Sequence, residues 1–579
     1  MGSNRVYFSN REKVSRFMNG WDVLLLIAVF SALFFLGWAG QQMATPYALG
    51  DPLPLSLDPG NLPFYALRTV LRMFIALILS IIFTFIVGAL AAKNRRAEQI
   101  IIPAIDILQS VPVLSFLAIT VTGFIHFFPG SLLGPECASI FVIFTAQVWN
   151  ITFSFYQSLK TVPDDLHEAA AMFQLSAWQC FWKVEVPCSL SGLLWNLMMS
   201  MSASWFFVVL SEAIIVAHQD IRLPGVGSYI ALAIEQRNLH ALGYAILTMV
   251  IVIFLYDQIL FRPLLAWSDK FKMADNPDED TYQSWLLDWI RQSPLMKRMD
   301  IGLQWFKEAV VNARWLCRSG STTVREVDFN RQRRLDWFWN ILLLMSILAG
   351  GYALFTYIFT ALNLHDVLHV AFLGAITGTR VIVLILVSSL VWIPVGVWIG
   401  QRPHFSQKTQ AVIQFVAAFP ANLFYPLFVI AIVRFHLSVE IWVTPLMILG
   451  TQWYILFNVI AGASMIPRDL CLVADNFGVT GWQWWRRLAL PAIFPFYITG
   501  AISAAGGAWN ASIVAEWVSW GSTTLQATGL GEYIHASTLA GNFPKLALGT
   551  GMMCVYVLLF NQLIWRPLYR LAEARFNYH

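Results

Sequence analysis

The few side chains of this sequence that are placed to do chemistry come in pairs. Arg72 and Arg380, and Glu212 and Glu516, are ionisable residues set in strongly apolar surroundings. Such groups are costly in hydrocarbon and by default mark a route for polar solutes. Two arginines facing an aqueous path would suit an anion. The other reading of Arg72 and Arg380 is that they sit within about two turns of a helix end and snorkel to the interface. Trp205 and Trp509 form a third pair, suited equally to packing, to an interfacial belt or to a gate.

Covalent and metal chemistry find no footing. The six cysteines, Cys137, Cys180, Cys188, Cys317, Cys471 and Cys554, show no CxxC or Cys/His spacing. We read them as small apolar residues, and no metal site is expected. His126, His365, His369 and His436 read as loop or membrane-interface residues. No catalytic Ser/His/Asp set stands out, so the chain is not expected to be an enzyme. No G-x-x-x-x-G-K-[ST] motif occurs, so no P-loop is available to cradle nucleotide phosphates.

The elements that must position these pairs are membrane helices. Of 579 residues, 58% are hydrophobic and 12% charged, with mean hydropathy +0.62; soluble chains carry roughly 25% charged residues. The chain reads as an all-α polytopic membrane protein. Apolar runs long enough to span a bilayer lie at about 21 to 39, 65 to 92, 100 to 128, 138 to 159, 189 to 217 and 241 to 262. Six more follow at about 337 to 359, 376 to 399, 410 to 433, 441 to 462, 492 to 515 and 547 to 566. Twelve transmembrane helices are expected. The first run follows Arg5, Arg11, Lys13 and Arg16 but lacks a small-residue cleavage site, so it reads as a retained helix rather than a signal peptide.

Lys and Arg collect on one side, at the amino terminus, at Lys93, Arg95 and Arg96, at Lys160 and Lys183, at Arg468, Arg486 and Arg487, and at Arg570 and Arg575. By the positive-inside rule that side, including both termini, is the cytoplasm. The net charge of +4 gives no reason to expect nucleic acid.

The two groups of six are copies. Residues 163–187 reappear at 467–491 with a constant displacement of 304, and the register also holds for Trp149 and Trp453, Glu212 and Glu516, and Gly225 and Gly529. Towards the amino terminus it slips to 308, pairing Arg72 with Arg380 and Pro112 with Pro420. Each copy of the repeated stretch opens with Pro and has Asp within the next two residues, which suits the start of a helix. Each breaks near Gln174 or Gly478, then restarts at an S/T-x-x-Q capping box, Ser176 to Gln179 or Thr480 to Gln483. Each closes at Val186-Pro187 or Leu490-Pro491. The expectation is a short helix, a turn and a second short helix, once in each half.

The domains are then a first repeat at 1–266, with its core about 65–264, a linker at 267–335, and a second repeat at 336–579, with its core about 376–568. The linker mixes acids and bases. Its apolar spacing at Trp285, Leu286, Trp289 and Ile290, and again at Ile301, Leu303, Trp305 and Phe306, suggests short amphipathic helices lying on the membrane or on the protein.

The repeated stretch resembles the cytoplasmic-loop motif of permease subunits of binding-protein-dependent ABC importers, in which Glu-Ala-Ala, three residues, Gly and nine residues precede a hydrophobic residue, any residue and Leu-Pro. The first copy supplies Glu168, Ala169, Ala170 and Pro187 but has Gln174 where the family has glycine. The second keeps Asp475, Gly478, Trp482 and Pro491 but has Leu472-Val473-Ala474 where the family has Glu-Ala-Ala. Ala515-Glu516-Trp517 with Gly529-Leu530-Gly531-Glu532-Tyr533 is similar to the nitrate, sulfonate and taurine branch. The resemblance implies two parallel six-helix repeats of the type I importer kind in the bacterial inner membrane. It implies two ABC ATPase subunits, identical or different, that dock on the two loops and bind ATP and Mg themselves, so that no cofactor belongs to this chain. It also implies a periplasmic or lipid-anchored solute-binding protein, alternating access as the mechanism, and a small anion such as nitrate, a sulfonate, taurine or bicarbonate as substrate. A twelve-helix secondary transporter not driven by ATP is the alternative. The complementary departures of the two copies predict docking sites of unequal strength.

Overall fold

A computed structural model describes residues 55–110, 112–216, 219–268, 285–292 and 329–576, with scattered positions between 30 and 47 and between 302 and 312. Most of the expected first span and of the linker, including Ile301, Leu303, Trp305 and Phe306, falls outside the described residues. The helix Trp285–Gln292 forms where the linker's apolar spacing predicts one.

Among the described residues, nine helices are long and apolar enough to cross a membrane, and a bent pair makes a tenth. Two of the expected twelve are not among these: the first span lies mostly outside the described residues, and the span at 100 to 128 is interrupted. The expected span at 410 to 433 is broken into Val412–Ala418 and Ala421–Arg434, bent by 73° around Pro420. Proline lacks the amide hydrogen that a helix needs and forces the preceding residue towards extended backbone, as Phe419 shows at φ −72°, ψ 129°. Its repeat counterpart Pro112 likewise separates Arg95–Ser110 from a short 3-10 turn and Leu117–Phe127.

The expected span at 189 to 217 ends early, at Glu212. Ala213–Val216 (β1) and Gln219–Arg222 (β2) pair as an antiparallel hairpin, with Ile214 opposite Ile221. The second repeat does the same with Trp517–Trp520 (β3) and Thr523–Gln526 (β4). Each hairpin leads into a short helix, Val226–Glu235 or Leu530–Leu539. The β-branched run Ile214-Ile215-Val216 is apolar enough to extend a helix but suits a strand better.

A second departure concerns proline. The second short helix of each repeated stretch does not stop at Pro187 or Pro491; it runs on through a π-helical turn into the next span. The π turns Phe181–Glu185, Asp257–Phe261, Trp485–Ala489 and Asn561–Trp565 each end two residues before a proline, at 187, 263, 491 and 567. Widening one turn absorbs the missing donor and the ring's clash with the preceding turn without ending the helix.

The chain divides into two compact units. The first contains 154–196 and 255–326 and so carries the first repeated stretch. The second contains 43–153, 197–254 and 327–579. Its core is a continuous cluster in which Trp509, Leu384, Ile455 and Ala504 are buried among many other apolar side chains.

Candidate functional site

The two repeated stretches are built alike. Asp164–Met172 and Arg468–Asn476 are the first short helices, with Asp164, Asp165 and Asp469 in their first turns, where carboxylates favour the dipole. Each ends in a Schellman arrangement. In the first copy the Gln174 and Leu175 amides donate to the carbonyls of Ala171 and Ala170, at 2.9 and 3.0 Å. In the second the Gly478 and Val479 amides donate to Asp475 and Ala474, at 3.0 and 2.9 Å. The turn requires left-handed backbone, and Gln174 adopts it at φ 52° just as Gly478 does at φ 65°.

The capping boxes differ. Ser176 and Gln179 exchange both bonds, at 3.2 and 3.0 Å. Thr480 makes no side-chain cap bond, because Gly481 enters the helix with φ +59° and takes the chain in on another path. Expected docking residues Glu168, Gln174, Asp475, Gly478 and Trp482 are exposed, Ala169, Pro187 and Pro491 half-buried, and Ala170 buried. Each turn also presents bare apolar surface: Phe173 is 79% exposed, Phe477 81% and Trp482 72%. In the first stretch the Gln179 side-chain amide donates to Asn312 of the linker at 3.0 Å.

The paired ionisable residues form two buried networks. Arg72, fully buried, binds both oxygens of Glu136 at 2.6 and 2.7 Å, Glu212 at 2.7 Å and the Pro224 carbonyl at 3.0 Å. Arg68 adds a bond to Glu136 at 2.6 Å. Glu212 also accepts from Thr69 at 2.7 Å and from the Gly227 amide at 2.6 Å. The second repeat reproduces the set with Arg380, Glu440, Glu516 and Thr377. Arg380 binds Glu516 and the Thr528 carbonyl at 2.8 Å each, and also Glu440. Thr377 and the Gly531 amide donate to Glu516 at 2.9 and 2.8 Å.

Each network ties the end of one span to the loop after the hairpin. The loop glycines are required for close approach: a Cβ on Gly225 would lie 2.4 Å from the Glu212 carboxylate, and one on Gly529 2.2 Å from that of Glu516. Arg72 and Arg380 are therefore both held in ion pairs within the fold. Glu136 and Glu440, 304 residues apart, were not singled out from sequence. They lie in the first turns of Leu133–Lys160 and Val439–Ser464, just outside the expected spans, where they read as loop residues.

A cavity of about 470 Å³ lies in the second unit, with walls from both repeats. Repeat partners Trp149 and Trp453, and Phe153 and Phe457, line it together. Gln109, Asn150, Gln414, Asn510 and Asn561 supply amides, and no lining residue among those described carries a formal charge at neutral pH. The Trp149 and Trp509 indole N–H groups are buried without a hydrogen-bond partner among the described residues. Of the expected pathway residues, Trp509 lines this cavity. Trp205, Arg72, Arg380, Glu212 and Glu516 do not. The chemistry available there is hydrogen-bond donation and aromatic contact without charge.

One cluster was not expected. In the first stretch His167 Nδ1, Cys180 Sγ and a Glu185 oxygen lie within 4.8 Å of one another. No local spacing marks it, because His167 and Cys180 stand thirteen positions apart with a turn between them.

Comparison with known proteins agrees with the duplication. The family described as binding-protein-dependent transport system inner membrane component matches residues 84–262 and again 392–565. Similar proteins include a nitrate import permease of Leptolyngbya laminosa, 25% identical over 141 residues, which are 24% of this chain and 48% of that protein. A bicarbonate transport system permease of Synechocystis sp. is 25% identical over 134 residues, 23% of this chain and 46% of that protein. A protein named as a putative aliphatic sulfonates transport permease of Bacillus subtilis is 25% identical over 273 residues, 45% of this chain and 93% of that protein. The match spans about half the length of the nitrate and bicarbonate relatives. With both halves matched over more than half of its length, the chain belongs to the multi-pass inner membrane components of binding-protein-dependent transport systems, and carries that component twice in one polypeptide.

Proposed function

We propose that this chain forms the solute pathway of an ATP-driven importer of small anions, working by alternating access, with both termini in the cytoplasm. Separate ATPase subunits dock on the two repeated stretches, and a separate solute-binding protein delivers the substrate. The observation that carries this reading is the pair of turns, each closed by the same two backbone bonds, that leave a large aromatic side chain, Phe173 or Phe477, exposed. Exposed apolar surface of this kind is costly without a partner. A rigid knob continuous with a membrane span, as the π turns make each one, can pass a rigid-body movement into that span.

The substrate class rests on the relatives named for nitrate, bicarbonate and aliphatic sulfonates, together with a cavity of neutral donors. Neutral donors hold an anion weakly enough to release it, which leaves selection to the binding protein. The test is uptake into proteoliposomes containing the chain with its ATPase and binding protein. Labelled nitrate, bicarbonate and an alkylsulfonate are offered with ATP or with an ion gradient alone. Uptake of one of them that requires ATP is expected; uptake driven by a gradient without the ATPase chain would make this a secondary transporter.

A further inference from the structure

We propose that His167, Cys180 and Glu185 form a transition-metal site, suited to Zn²⁺, that clamps the two short helices of the first repeated stretch. The geometry is close to what the ion needs. Zinc holds sulfur at about 2.3 Å and nitrogen or oxygen at about 2.0–2.2 Å, so donors around a tetrahedral ion stand roughly 3.5 Å apart. Cys180 Sγ lies 3.8 Å from His167 Nδ1 and 3.9 Å from Glu185 Oε1. The two sulfur separations exceed the tetrahedral value by a few tenths of an ångström, and all three donors lie within 4.8 Å of one another.

The fold explains why they converge. Cys180 and Glu185 are five residues apart, which on a regular α-helix would turn them about 140° away from each other. The π turn Phe181–Glu185, there because of Pro187, has a repeat of i to i+5 and sets them on one face. His167 comes from the other short helix, folded back by the turn at Gln174. The donor set is thiolate, imidazole and carboxylate. It favours zinc over magnesium or calcium, which prefer oxygen alone. Three protein ligands leave a fourth position for water.

Binding requires the thiol to lose its proton, which the metal displaces to solvent. The second repeat has the same π turn but only one such ligand, because Cys471, Trp484 and Ala489 stand at the equivalent positions. The site is therefore confined to one of the two stretches, and its occupancy stiffens that stretch alone.

The test uses the full chain in nanodiscs, stripped with a chelator and titrated with Zn²⁺ against a chromophoric competitor. Retention of a single tight equivalent by wild type and by Cys471→Ser, with loss of it in His167→Gln and Cys180→Ser, is expected. A measurement on wild type alone guards against variants that fail to fold: Zn²⁺ should protect Cys180 from alkylation, read by mass spectrometry, while Cys471 stays reactive. The same protein loaded with Co²⁺ should show thiolate-to-metal charge-transfer absorption. Zinc binding unchanged in Cys180→Ser or His167→Gln, absence of a stoichiometric equivalent in wild type, or equal alkylation of Cys180 with and without Zn²⁺ would overturn the proposal. None of these readouts depends on transport, so the site stands or falls separately from the importer reading.

Discussion

Gln174 and Gly478 hold the same left-handed backbone at the same turn, closed by the same pair of hydrogen bonds. A residue with a Cβ is strained there and glycine is not, so the first repeat carries a local cost that the second avoids. Arg237 and Gly541 repeat the contrast after the hairpins, at φ 55° and 64°. Arg237, however, uses its side chain to bond Ser522.

The first prediction follows from that contrast. Gln174→Gly should stabilise the chain by up to about 1 kcal/mol, the relief of left-handed strain less the added freedom of the unfolded chain. Gly478→Gln should destabilise it by a similar amount. Arg237→Gly should bring no gain, because the bond to Ser522 is lost along with the strain. Thermal unfolding of the purified proteins measures all three.

Ser176→Ala should cost about 1 kcal/mol, the usual worth of a helix cap. Thr480→Ala should cost little, since Thr480 makes no cap bond. Equal losses in thermal unfolding would mean that the two helix starts do not differ as described.

Arg72→Gln should be far more damaging than Arg380→Gln. It leaves Glu136 and Glu212 buried without their main partner, at about 3–5 kcal/mol for a broken buried pair. Of the two carboxylates bound to Arg380, Glu516 is buried but Glu440 is 49% exposed and can be rehydrated, so one buried carboxylate is stranded rather than two. Gly225→Ala should resemble Arg72→Gln, because its Cβ would occupy the space of the Glu212 carboxylate. Yield of folded protein and thermal unfolding in detergent decide the ranking.

The duplication, the class of fold and the repeated helix pairs were legible because each left a signal at constant register or in hydropathy. What was not legible depended on contacts between distant segments. The ion pairs of Arg72 leave no sequence signal because its partners Glu136 and Glu212 lie 64 and 140 positions away. Pro187 looked like a helix end because proline usually is one; the π turn that accommodates it leaves no mark in the local sequence. Ile214 to Val216 read as membrane helix since hydropathy cannot tell an apolar strand from the last turn of a span. His167, Cys180 and Glu185 escaped notice because their convergence needs both the Gln174 turn and the π turn.

The two docking turns should also be unequal. Glu168→Ala removes an exposed carboxylate from the first helix, whereas Leu472→Ala removes only apolar surface from the second. ATP hydrolysis by the assembled complex should fall more in the first variant. Equal reductions would argue against distinct docking sites.

Engagement of a separate ATPase by the exposed aromatic residues of both repeated stretches underlies the importer function proposed for this chain. It is tested most directly by measuring transport-coupled ATP hydrolysis in the reconstituted complex with Phe173→Ser and Phe477→Ser, singly and together. Partial loss of coupled hydrolysis and of ATPase co-purification is expected in each single variant and complete loss in the double, with the membrane chain still folded. Full coupling and normal co-purification in the double variant would contradict it.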